Sequence, residues 1–187
     1  MPNYQNTSVN SNQLILGNYK IETATTAGGS YVNLGSGELT SWVHNFTNSE
    51  IQAANSVDPI EYIADENVIF AFQLYEYKAS AMNAMMGGLT GTGTISTTST
   101  TINGGGNVNI TRRAFRLTNT RFIGTTSVAT VITHYKGQIE NGMTIVPKSD
   151  NDGNPLNAFQ FTVKCTNDAS LSVGSQLFSI VKGEKSA

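Results

Sequence analysis

Charge is scarce in this chain. Lysine, arginine, aspartate and glutamate make up 13% of its 187 residues, against about 25% in an ordinary soluble domain. Uncharged threonine, serine, asparagine and glycine fill the difference. Such a surface costs little to bury against a neighbour, because polar uncharged groups need only hydrogen bonds while buried charges need partners. Cysteine is nearly absent: Cys165 stands alone, so no intramolecular disulfide can form. Long hydrophobic runs are missing too. The longest strongly apolar stretch is Val68–Phe72, far below the ~20 residues that cross a bilayer. Residues 1–13 have neither the basic nor the apolar region of a secretory signal. A soluble, non-secreted protein without a membrane partner is expected.

Catalytic constellations are lacking as well. His44 and His134 are the only histidines. His44 lies on the Trp42/Phe46 face of a strand and reads as a packed or surface residue. His134 is expected to end a strand, with no cysteine or acid at ligand spacing, whereas zinc needs about three or four protein ligands. Cys165 alternates with Val163 and Phe161 and reads as a small core residue. No Gly-x-Ser-x-Gly elbow occurs, and Gly104-Gly105-Gly106 has neither a following helix nor the lysine of a phosphate loop. Ser149–Asn154 superficially resembles a calcium loop. Lys148 stands at its first ligand position and Phe159 where the bidentate glutamate belongs, so an Asp-Gly turn is the better reading. The chain is expected to be no enzyme and to hold no cofactor or metal.

What remains is a β pattern with one interruption. Residues 1–13 read as a polar arm, and residues 14–187 as a single domain. Short strand pieces surround Gly17-Asn18, and Ser30–Leu34 is expected to close at Gly35-Ser36-Gly37. Glu38–Thr47 alternates, placing Trp42, His44 and Phe46 on one face and Leu39, Ser41, Val43 and Asn45 on the other. Asp58-Pro59 marks a turn and Ile60–Ile63 resumes β structure. Val68, Phe70, Phe72 and Leu74 form a period-2 stripe facing a core. Ile69 and Ala71 make the strand's other face partly apolar, so cover on both sides is expected.

From Glu76 the composition changes to helix formers, predicting one short helix over about residues 76–86, ended by Gly87. Residues 90–107, TGTGTISTTSTTINGGGN, read as a protruding hairpin or loop longer than ordinary connections. Five further strands are expected at Asn107–Thr118, Phe122–Tyr135, Met143–Val146, Asn157–Thr166 and Ser175–Lys182. The sum is a mainly β fold, a sandwich or barrel of about nine strands with one flanking helix.

Charge is divided between the two halves. Residues 1–107 hold eight acids and two bases, and residues 108–187 hold five acids and nine bases. All four arginines, Arg112, Arg113, Arg116 and Arg121, fall within ten residues. Sequence-independent DNA binders carry a strong basic excess, whereas the net charge here is −2. Pairing of these arginines with acids of the same or a neighbouring copy is the favoured reading.

The stretch VIFAFQLYEYKASAMNAMMGG at Val68–Gly88 joins a hydrophobic strand ending in Leu-x-Glu to an Ala/Met-rich helix and a double glycine. With Leu34-Gly35-Ser36-Gly37-Glu38, the polar run Ile51–Ser56 and the Thr/Gly-rich excursion, it resembles the major tail, or tail tube, proteins of long-tailed bacteriophages. The resemblance extends over the greater part of the chain. It implies a β-sandwich with a flanking helix, hexameric rings stacked into a virion tail tube, and assembly in the host cytoplasm. The implied partners are other copies of the chain and the tape-measure and tail-terminator proteins, with DNA only as non-specific passing cargo. The family's lumen is usually acidic, and the small net charge here departs from that.

Candidate contacts between copies follow from this. They are Thr92, Thr94, Thr97, Thr98 and Asn103 in the excursion, Arg112, Arg113 and Arg116 facing acids such as Asp58 and Glu61, and Met82 and Met86 on the helix. Two alternatives remain from other classes. One is a capsid-decorating or head-to-tail joining phage protein, and the other a carbohydrate-binding or adhesin-like β-sandwich module.

Overall fold

Seven strands form a single antiparallel sheet in a computed structural model, which describes residues 17–52, 58, 60–75, 112–123, 126–149 and 155–185. The expected arm at 1–13, the helix at 76–86, the excursion at 90–107 and the turn at 150–154 lie outside the described residues. The strands are β1 (Gly17–Ala24), β2 (Val32–Ile51), β3 (Ile60–Leu74), β4 (Arg113–Ile123), β5 (Thr126–Ser149), β6 (Pro155–Thr166) and β7 (Phe178–Lys185). Their pairings run β4-β1-β2-β3-β6-β5, and β5 pairs again with β4. Six strands therefore form a closed circuit of hydrogen bonds, and the stretches inside the circuit have a neighbour on each side. The seventh, β7, lies along the first half of β5 on the edge opposite β4: Thr133 pairs with Arg116 on one side and Ser179 on the other.

Alternation explains the core. Val68, Phe70, Phe72 and Leu74 are each fully buried, as the period-2 stripe predicts. Phe70 and Phe72 meet Phe115 of β4, and Phe72 meets Phe161 of β6, with ring centroids 5.4–6.5 Å apart. On the other face of β3, Ala71 and Gln73 are buried and Ile69 is half-buried. Phe161, Val163 and Cys165 point into the same core. Burial pushes the Cys165 thiol far above its ordinary range, so it packs as a small apolar group.

Three expectations need correction. The strand expected to close at Gly35-Ser36-Gly37 instead runs through those glycines as part of the 20-residue β2. Close backbone approach is the reason, because a Cβ on Gly37 would collide with the carbonyl oxygen of Gln73 on β3. Gly37→Ala is expected to lower stability by about 1–3 kcal/mol, the usual cost of overpacking. Urea denaturation would measure it, and an unchanged midpoint would contradict the close approach.

A register shift between Leu39 and Ser41 makes Thr40 an extra residue. Leu39 therefore joins the core on the same side as Trp42, not the opposite side. Finally, the strand expected at Phe122–Tyr135 is divided: Phe122 and Ile123 end β4, while its remainder from Thr126 and the strand expected at Met143–Val146 belong to one 24-residue strand, β5, spanning Thr126–Ser149. It bends without breaking at a register shift between Glu140 and Met143, where Gly142 adopts φ +71°. His134 consequently sits within β5, fully buried, and does not end a strand.

Candidate functional site

β2 and β3 outrun the rest of the sheet. β1 follows β2 only as far as Leu39, and β6 follows β3 only from Asn67. Beyond those points, among the described residues, β2 and β3 pair with each other alone, as far as the Ile51–Ile60 rung. Isolated two-stranded ribbons are marginally stable in water. This one also exposes large apolar groups: Phe46 is 59% exposed, Ile60 63% and Ile63 57%. Large apolar groups exposed on both faces of one ribbon mark an interaction site more often than a solvated one.

Register fixes what each face of the ribbon carries. Directly opposed residues share a face, and successive rungs alternate. Asn48/Ile63 and Glu50/Glu61 therefore lie on one face, and Ser49/Tyr62 and Ile51/Ile60 on the other. Glu50 and Glu61 are exposed acids placed directly across from one another, an arrangement that destabilises a lone ribbon.

At its base the ribbon is braced. Trp42 meets Phe178 of β7 edge-on at 5.2 Å, and His44 meets the same ring at 5.4 Å. Trp42 Nε1 donates to His134 Nε2 at 3.3 Å. His44 Nε2 lies 2.7 Å from Glu66 Oε1, and Asn45 Nδ2 donates to Asn67 Oδ1 at 3.2 Å. Between this base and residues 167–178 runs a groove of about 410 Å³, lined among others by Asp65, Glu66, Val173 and Phe178. Its loop wall is held by a turn in which the Ser170 hydroxyl and backbone N–H both donate to Asp168 Oδ1. Those bonds keep the Asp168 carboxyl below the usual carboxylate range. The ribbon thus has a fixed root, and among the described residues its distal rungs pair only β2 with β3.

The arginine cluster divides into different roles. Arg116 is engaged within its own chain: its Nε donates to Glu22 Oε2 at 2.8 Å, and its guanidinium lies 4.0 Å from the Tyr31 ring centre. Lys20 Nζ reaches the other Glu22 oxygen at 2.7 Å. Burial alone would raise the Glu22 carboxyl, but the hydrogen bonds and charges of Arg116 and Lys20 overcome it and hold the pKa below its ordinary value. Arg112 is exposed, and Arg113 is half-buried. The Arg113 Nε has no hydrogen-bond partner, and burial lowers that side chain's pKa. Glu61 stands on the ribbon and Asp58 beside its distal end. Thr92, Thr94, Thr97, Thr98, Asn103, Met82 and Met86 lie outside the described residues.

Sequence reasoning missed the Glu50/Glu61 rung and the exposed apolar groups around it. Alternation in that stretch is weak, and register is set by the pairing of β2 with β3, whose connection includes the turn expected at Asp58-Pro59. One signal was available: two strand-like stretches flank that turn and exceed the ordinary strand length of ~5–6 residues.

No protein-family model matches the chain, and no curated protein matches its sequence. Among solved structures, the chain is similar to a component of the anti-feeding prophage cap, described as a tube-terminating cap and solved by cryo-EM. The likeness covers 91% of this chain and 93% of that one, at 14% sequence identity and a TM-score of 0.42.

Proposed function

We propose that this chain is a self-assembling structural subunit of a phage tail tube, working as an assembly block and not as a catalyst. The observation that carries self-assembly is the β2–β3 ribbon, which leaves the sheet with exposed Phe46, Ile60 and Ile63. Such a ribbon gains order and buries apolar area only against a neighbour. The low charge content fits a surface that spends its life in contact with other protein. The tail assignment rests on the sequence resemblance at Val68–Gly88 and Leu34–Glu38. In this reading six copies form a ring and rings stack, with tape-measure and terminator proteins as further partners and DNA passing through the lumen.

Negative-stain microscopy and sedimentation of the purified protein test the reading. Rings or tubes are expected. Shortening the ribbon by replacing residues 48–63 with a two-residue turn should leave a folded monomer, because the strand residues removed, 48–51 and 60–63, form ladder rungs only with each other. Monodisperse wild-type monomer at high concentration would overturn the proposal.

A further inference from the structure

The acidic rung has no basic partner on its own two strands. Between Lys20 and Lys78 the sequence contains no lysine or arginine, so the whole of β2 and β3 lacks a cation of that kind. Glu50 and Glu61 are both exposed, and they repel across the rung. Their face also carries exposed Ile63. A partner surface for this face must therefore combine basic groups with an apolar floor.

Such a surface exists elsewhere on the same molecule. Arg112, Gln138, Glu140, Lys164 and Thr166 line a groove of about 280 Å³ on the β5–β6 side of the sheet. Two cations, Arg112 and Lys164, thus stand there against one carboxylate, Glu140. Lys164 pairs across the strands with Ile69, and Ile69 with Val43. Opposed residues share a face, so a half-buried isoleucine and a half-exposed valine continue the groove as apolar floor.

A chain cannot fill its own groove. Thr166 lies opposite Asn67, and Glu61 stands six residues further along β3, about 20 Å away at ~3.3 Å per residue. That exceeds the combined reach of a glutamate and an arginine side chain.

We propose that the Glu50–Glu61 rung of one copy seats in the Arg112/Lys164 groove of a second copy, with Ile63 against Val43 and Ile69. The inference rests on the self-assembly reading above and names its contact. Ribbon and groove are different patches, so the contact is head-to-tail, the type that closes into rings or continues as a filament.

Charge reversal tests it. Glu50→Lys with Glu61→Lys gives a basic ribbon, and Arg112→Glu with Lys164→Glu gives an acidic groove. Each double variant alone should assemble with an association constant lower by about tenfold or more, since like charges are brought together. An equimolar mixture of the two should recover assembly, because alternating copies meet only complementary contacts. The fourfold variant should recover it as well. Circular dichroism establishes that each variant is folded.

If wild type assembles and the reversals change nothing, or if the mixture stays unassembled while both variants are folded, the rung-in-groove contact is wrong and self-assembly stands. If wild type itself stays monomeric, both fall.

Discussion

Acid will unfold this protein earlier than its carboxylates alone require: the fold loses about 2 kcal/mol by pH 5 and about 3 kcal/mol by pH 4 through one group, His134. The imidazole is fully buried and stacks on Phe70 at 4.4 Å. Its Nε2 accepts the Trp42 indole N–H, which leaves the proton of the neutral ring on Nδ1, and Nδ1 has no partner. The rings closest to it, Phe70, Trp42 and Phe178, carry no charge that could stabilise an imidazolium. Burial accordingly pushes the pKa down to about 3. A depressed folded-state pKa means that the unfolded chain binds the proton first. Stability is complete above the unfolded value of about 6.5 and is lost as pH falls towards 3, at ~1.4 kcal/mol for each pH unit.

Urea denaturation at pH 7, 5 and 4 measures the loss, and Trp42, the only tryptophan, reports it by fluorescence. His134→Phe removes the ionisable group. Its stability at pH 7 should fall by about 1–3 kcal/mol because Trp42 loses its acceptor, while its slope between pH 6.5 and 4.5 should flatten. Equal slopes for variant and wild type would remove His134 as the cause.

Arg116→Ala is the second large effect, expected to cost about 3 kcal/mol of monomer stability. Removing one member of a fully buried ion pair costs about 3–5 kcal/mol, and here Glu22 is buried while the Arg116 side chain is 36% exposed. The lower end applies because Lys20, half in solvent, still reaches Glu22. The Glu22 side chain is only 7% exposed, so water cannot take over from the guanidinium. Replacing the pair by Arg116→Met with Glu22→Gln should recover most of the loss, since a neutral amide is easier to bury than a lone carboxylate. The pH dependence has a definite sign. Glu22 has a depressed pKa, so the pair contributes above the ordinary carboxylate value and its contribution fades as pH falls below it. Wild type and Arg116→Ala should therefore converge in acid. Unchanged monomer stability with failed assembly would instead return Arg116 to the contact between copies.

Sequence reading succeeded where one physical rule operates without competition. Strand β3 needed only alternation, and Val68, Phe70, Phe72 and Leu74 obeyed it; so did Phe161, Val163 and Cys165. It failed where a second strand decides. Gly37 reads as a strand breaker until Gln73 presses against it. The face of Leu39 follows from a bulge at Thr40, which no local pattern announces. The partnership of Glu22 with Arg116 joins residues 94 positions apart. The burial of His134 depends on β4 and β7 flanking β5, information spread over several strands. Of the candidate contacts, Arg112 and Glu61 fall on an exposed groove and an exposed ribbon. Arg116 points into its own chain.

Closing the circuit of strands also imposes an order in time. β1, β2 and β3 meet through neighbouring stretches of chain, but β1 waits for β4, a contact in which the Thr23 hydroxyl donates to the Ala114 carbonyl across 91 positions. Contacts this distant in sequence slow folding, because the chain entropy of closing the loop is spent before they reward it. Until β4 arrives, β1 has an open edge able to pair with another unfinished chain. Folding of the chain is therefore a race between closing on itself and capture by a sibling. Crowding of nascent chains favours capture, and dilution favours the closed form.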